Sequence, residues 1–292
     1  MSLSLFAPLL YLFAGICMGR SPVDIRKPAS ALLSKAVIPL VIIYNIATYK
    51  PGIVVVVLGT ISMMGVMAAL GRLFIQDAVR RLGFFYFNIG WLGLPVAAAL
   101  FGDGAASLFI AAYIGSTIFG NSIGALMLAG STHQKSRVLR VIQSPPVLAV
   151  LIGGLLIPFG ENIEAHLDVA YGVLKFLLSF LGMAILGIWL AESGVRPRDV
   201  REEFFPYVCK LATSCVLITF FVWLCTVLDV QLVTRNVPAL YLICLLPPAA
   251  NIVVLETHYR QSGASAKMIA AGTCISLAAI FVYACLLRYA AT

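Results

Sequence analysis

Charge is what this sequence has least of. Lys, Arg, Asp and Glu supply 11% of its 292 residues, hydrophobic residues supply 61%, and the mean hydropathy is +1.01. That balance excludes an ordinary soluble domain and indicates an integral membrane protein. Acidic residues are the scarcest, 12 in all, and none falls in the middle of a long apolar run. Asp103, Glu161, Glu164, Asp168 and Asp229 gather near one side of those runs, and Glu256 ends a run on the other. Ion-driven pumps ordinarily carry an intramembrane Asp or Glu, so coupling through a simple acidic relay is not expected. There is no GxxxxGK[ST] loop for ATP and no HExxH for a metalloprotease, and no GxSxG nucleophile elbow is expected. The seven cysteines (17, 209, 215, 225, 244, 274 and 285) form no CxxC pair and lie in or beside apolar segments. They read as small buried hydrophobes. His133, His166 and His258 fall in separate loops or helix ends, so neither a metal site nor a cofactor is expected. No Lys or Arg precedes Arg20. The positive start of a signal peptide is missing, and residues 3–19 read as a retained first helix.

What is present is a series of apolar runs near the length of a bilayer span, about 17–25 residues. Ten are read: 3–19, 29–48, 52–74, 82–101, 105–130, 145–160, 167–191, 206–228, 236–256 and 265–288. The longest polar loop is placed at 192–205. With the N-terminus outside, fifteen Lys and Arg residues fall in inner loops, Lys210 among them, and three (Lys50, Arg235, Arg288) fall outside. Lys35 and Lys175 fall within spans. That bias predicts an even number of spans with both termini outside, and it explains the net charge of +8 without a nucleic-acid partner. The two halves share a layout. Residues 1–130 and 141–292 each hold five runs, joined by an inner linker at 131–140, and in each half an interrupted run precedes a long final one. Five is odd, so the second copy enters from the opposite side, as in an inverted repeat.

The first interruption is Asn88-Ile-Gly90-Trp-Leu-Gly93-Leu-Pro95. Pro95 removes a backbone donor and crowds the preceding turn. Leu94, before a proline, is pushed out of the helical region. Gly90 and Gly93 let a chain or ligand approach closely. The expectation is a helix broken by Pro95 in mid-membrane, with freed backbone groups lining a cavity. The second interruption, Pro247-Pro248 followed by Asn251, repeats the logic. An inverted repeat would bring both breaks to the midplane. Half-helix N-termini would then point N–H groups into a shared cavity that favours a carboxylate. Two plain proline kinks are the alternative. Tyr113, Thr117 and Asn121 recur every four residues on one face of the fifth span, near Ser116, and Asn45 follows Pro39 in the second. These groups either bind a solute or hydrogen-bond between helices. Lys175 reads as snorkelling outward or pairing with Asp168.

These motifs resemble the auxin efflux carrier family of bacterial and plant transporters. Asn88-x-Gly90-x-x-Gly93-x-Pro95 is similar to its fourth-helix motif, and Pro247-Pro248-Ala249-x-Asn251 with Tyr259 to its ninth. Pro145-Pro146 before Ile152-Gly153 is similar to its entry to helix six, and Pro39 to a second-helix proline. The resemblance implies ten helices in two inverted five-helix repeats, with helices four and nine crossing at the substrate site. Helices one, two, six and seven would form a scaffold and a homodimer surface. The rest, three to five and eight to ten, would slide in an elevator cycle. The substrate would be a small organic anion such as malonate, malate or auxin, crossing a bacterial inner membrane. Glu256 departs from the small apolar residue usual there, and Gly272-Thr273-Cys274-Ile275-Ser276 matches only loosely. A sodium-coupled organic-anion symporter and a non-transporting membrane sensor are the alternatives. An intramembrane enzyme is weaker than either, for want of a nucleophile and base.

Overall fold

The computed structural model describes residues 7–20, 26–48, 51–128, 145–260, 262 and 264–291. The linker 131–140, with its three basic residues and His133, lies outside them, as does Lys50. The described chain is helical. The first two apolar runs become α1 (Ala7–Met18), α2 (Arg26–Leu32) and α3 (Ile38–Ala47), and the third becomes α4 (Ile53–Phe74). The fourth is split into α5 (Ala78–Phe85) and α6 (Leu94–Phe101), and the fifth is α7 (Asp103–Leu128). Next come α8 (Pro145–Leu156), a 3-10 turn at Ile157–Phe159 and α9 (Gly160–Ser193). They are followed by α10 (Pro197–Val227), the short α11 (Gln231–Thr234), α12 (Val237–Cys244), α13 (Asn251–Arg260) and α14 (Ser265–Ala291).

Among the described residues five helical runs are long and apolar enough to cross a membrane: α4, α7, the stretch Val147–Ser193 through α8 and α9, α10 and α14. Phe74, Phe205, Trp223 and Phe281 stand on the outer surface of these helices. An exterior this apolar suits lipid and not water, so the protein is membrane-embedded. Inside, α1 lies along α9, α3 along α8, α4 along α7 and α10 along α14. Small residues set the first contact. A Cβ on Gly15 would fall 2.0 Å from the Ala184 carbonyl oxygen, and one on Gly187 would fall 2.1 Å from that of Leu12. Helices in lipid gain little from burying apolar surface, so close backbone packing carries their association.

Several expectations need correction. Pro95 does not break its helix. It is the second residue of α6 and follows a π-helical turn, Ile89–Gly93. Pro39 in α3 has the same arrangement after the π-turn Leu33–Val37. The wider turn lets the chain pass a residue that has no N–H to donate. The interruption lies earlier, at Tyr86–Asn88. The polar stretch 192–205 is not a loop, because α10 starts at Pro197 and only residues 194–196 are non-helical. Asp199 accepts from the Arg196 N–H at 2.8 Å and fixes that start. Lys210 is therefore no loop residue but a buried one within α10. Cys225 and Cys244 are buried as expected, but Cys17 and Cys285 are exposed. Finally, Gly120-Asn121-Ser122-Ile123-Gly124 has the letters of a GxSxG nucleophile elbow. It lies within α7, where the Ser122 hydroxyl donates to the Ile118 carbonyl at 2.5 Å. The exposed turn between strand and helix that such a nucleophile needs is missing there.

Candidate functional site

The two interruptions meet. Phe87 and Pro248 form an isolated antiparallel β-bridge. The Asn88 N–H donates to the Pro247 carbonyl at 2.9 Å, and the Ala249 N–H donates to the Tyr86 carbonyl at 2.8 Å. Prolines at 247 and 248 cannot continue a ladder or a helix, which confines the bridge to one residue pair. Gly272 makes room for it, since a Cβ there would fall 2.9 Å from Pro248 Cδ. On one side of the bridge α5 and α12 end. On the other, the π-turn leading into α6 and the helix α13 begin. Two helix ends and two helix starts therefore converge, with their partial charges fixed by the backbone.

Most of the polar residues named from the sequence gather here. Asn88 is buried. Its Oδ1 accepts from the Trp91 N–H at 3.3 Å and caps the π-turn, while its buried Nδ2 has no partner among the described residues. The Asn251 Nδ2 donates to the Tyr86 hydroxyl at 3.2 Å, and that hydroxyl donates to Asn121 Oδ1 at 3.1 Å. One relay thus joins Asn251 in the second half to Asn121 in the first. Thr117 faces the Tyr86 and Tyr113 phenols without a well-aligned bond, and Ser116 Oγ is buried and unpartnered. Gly90 allows the Tyr113 ring to lie against the π-turn, where a Cβ would meet it at 2.4 Å. Gly93 does the same for Leu246 and Phe109. Asn45 is engaged elsewhere: its Nδ2 donates to the Val41 carbonyl and to the Tyr171 hydroxyl of α9, each at 2.8 Å. It takes the helix-joining option. Lys175 stands 5.0 Å over the Tyr171 ring.

No family model matches the chain, and no curated protein matches it. The site is therefore read on its own chemistry.

Four residues of the site, Tyr86, Tyr207, Lys210 and Ser276, are not among those the sequence singles out for it. Tyr86 lies two positions before Asn88, and a polar-tipped ring entering an interruption was the available signal. Lys210 donates to the Leu246 carbonyl at 2.5 Å, while Tyr207 and Ser276 donate to the Leu245 carbonyl at 2.7 and 2.5 Å. These three side chains satisfy the carbonyls of the two residues that follow α12. The signal was the helical spacing of Tyr207, Lys210 and Ser214, the polar members of the buried stripe of α10.

A cavity of about 700 Å³ reaches Lys210 and Tyr207 between α4, α5 and α10, with Arg80, Asp77 and Glu203 in its walls. Two further cavities beside the crossing, one lined by Trp91 and Thr273 and one by Gly90 and Tyr113, hold only about 10 Å³ each. That is room for about one water molecule.

Glu256 does not act as a free acid. Its buried carboxylate accepts from the Ser262 hydroxyl at 2.6 Å, the Ala264 N–H at 3.1 Å, the Ser265 N–H at 2.8 Å and the Ser265 hydroxyl. It closes the N-terminus of α14, where the dipole favours a negative group. Glu256→Ala strands those donors and should cost about 2–3 kcal/mol, with the melting temperature lowered by several degrees. Glu256→Gln should recover part of the loss. A melting temperature unchanged in the alanine variant would dismiss the capping role.

Proposed function

We propose that this chain is a secondary transporter for a small organic anion, of the auxin efflux carrier type. The observation that carries the reading is the crossing: two interrupted helices joined by backbone bonds, both restarting there, with a buried amide donor of Asn88 left unpartnered beside them. Fresh helix starts and a spare N–H suit a carboxylate.

The helix pairing supports an inverted repeat of ten spans. A shift of five spans maps the contact of spans one and seven (α1 on α9) onto that of six and two (α8 on α3). It also maps three and five (α4 on α7) onto eight and ten (α10 on α14). Spans one, two, six and seven then make the scaffold and the homodimer surface. The others carry the crossing in an elevator motion. The wide cavity opens on the Arg80 side, as an inward-facing state of an alternating-access cycle would. The positive-inside bias assigns the Arg80 side to the cytoplasm of a bacterial inner membrane, with both termini outside.

Counterflow tests the reading. Proteoliposomes loaded with unlabelled malonate or benzoate should accumulate the labelled anion, and protein-free liposomes should not. Folded protein that carries neither these nor any other mono- or dicarboxylate would remove the proposal. Binding without flux would point to a sensor.

A further inference from the structure

Lys210 is 2% exposed, and its ammonium uses one of three N–H donors, on the Leu246 carbonyl. Among the described residues no carboxylate lies within 4.0 Å of its Nζ. Two rings stand beside it: Nζ is 5.0 Å from the Phe87 ring centre and 5.2 Å from that of Tyr207, while Glu203 on α10 and Cys244 at the end of α12 act on it electrostatically from farther off. Phe87 belongs to the first interruption and Leu246 to the second, so a single cation touches both. A carbonyl oxygen and two ring faces are what a cation site offers when no acid is in contact. The carbonyl lies two residues past Cys244, just beyond the end of the half-helix α12, the pole that favours positive charge. In carriers with broken helices, half-helix carbonyl ends of this kind hold the coupling sodium ion, while half-helix starts hold the anion.

We propose that the Lys210 ammonium is a built-in cation standing where a sodium-coupled carrier would hold its ion. Anion binding at the crossing then needs no sodium. The inference rests on the organic-anion reading above and deepens it: the positive charge that offsets the solute is part of the chain. The charged residues lining the cavity that reaches Lys210 are Asp77 and Arg80 around the start of α5 and Glu203 on α10. Asp77 also lies 3.6 Å from Arg260. The cavity is wide enough to admit a small cation to the space that truncation of Lys210 would open.

The test uses full-length protein in proteoliposomes with labelled malonate and benzoate. Wild-type flux should be unchanged when sodium is replaced by choline. Lys210→Met, which keeps the stem and loses the charge, should lower kcat/KM at least tenfold while eluting as a single species, and Lys210→Arg should retain most of it. Lys210→Ala should be as poor as the methionine variant and should be rescued by methylammonium but not by methanol. Sodium-dependent wild-type flux, full activity of Lys210→Met, or equal rescue by methanol would each overturn the inference and leave the transporter reading standing. If Lys210→Ala does not fold, the methionine and arginine variants decide. Absence of any wild-type flux would remove both.

Discussion

Asn88→Ser should fold as the wild type does and carry almost no anion. The two ends of this amide have different work. Oδ1 caps the π-turn through the Trp91 N–H, and Nδ2 is buried with nothing to bond. Serine caps a helix start about as well as asparagine, so the melting temperature should move by less than about 3 °C. The serine hydroxyl keeps one O–H, but on the capping oxygen itself, so no donor stands at the position that Nδ2 holds. A hydrogen bond to a charged group contributes about 1.5–3 kcal/mol, so kcat/KM should fall roughly tenfold to a hundredfold. Asn88→Ala should lose the same flux and also the cap, about 1 kcal/mol. Asn88→Asp keeps the acceptor but sets a negative charge where the anion is to sit, and its flux should be lower still. Counterflow measured beside a melting curve separates these cases. Wild-type flux in the serine variant would show that the amide never touches the anion.

The sequence disclosed the parts of the fold that depend on apolar length and on proline. The described helices overlap the apolar runs read from hydropathy, with α11 between two of them, and among the described residues five helical stretches are long and apolar enough to cross, because a segment in lipid must satisfy its own backbone for the whole crossing. The pairing of Pro95 with Asn88 and of Pro247-Pro248 with Asn251 located both interruptions to within two turns. It misplaced the first because a π-turn absorbs Pro95, and that remedy involves backbone bonds over five residues which no side-chain pattern displays. Lys210 was hidden for a different reason. It follows three arginines and precedes an apolar run, so a count of loop charge takes it in. Only the knowledge that α10 starts at Pro197 turns it inward. Asn45 and Asn251 look alike in the sequence, yet one joins α3 to α9 and the other joins the relay at the crossing. Which partner an intramembrane amide finds is decided by helix pairing, which depends on contacts remote along the chain.

Gly187→Leu should prevent the protein from reaching a monodisperse folded state. The added Cβ would stand 2.1 Å from the Leu12 oxygen, 2.8 Å from the Ile16 nitrogen and 3.0 Å from the Gly15 carbonyl carbon, and ordinary contact begins near 3.4 Å. All three neighbours are backbone, so no side chain can turn aside and α1 itself must retreat by about 1 Å. Leucine is a better helix former than glycine by about 0.8 kcal/mol. Overpacking costs about 1–3 kcal/mol and more where backbone must move, so the clash wins. The same helix supplies the control. Around Gly172 nothing lies within 4 Å of the Cβ position, so Gly172→Leu should gain the propensity term without a clash and melt at or slightly above the wild-type temperature. Gly182, between them on α9, would place a Cβ 2.9 Å from the Trp91 carbonyl, which is where this helix meets the first interruption. Gly182→Leu should therefore fold less well than Gly172→Leu, and any folded fraction should carry less anion, because the half-helix it presses on also bears Asn88. Size-exclusion profiles of the three variants rank these contacts. A normal profile for Gly187→Leu would mean that α1 and α9 do not approach backbone to backbone, and the scaffold built on that pair would have to be redrawn.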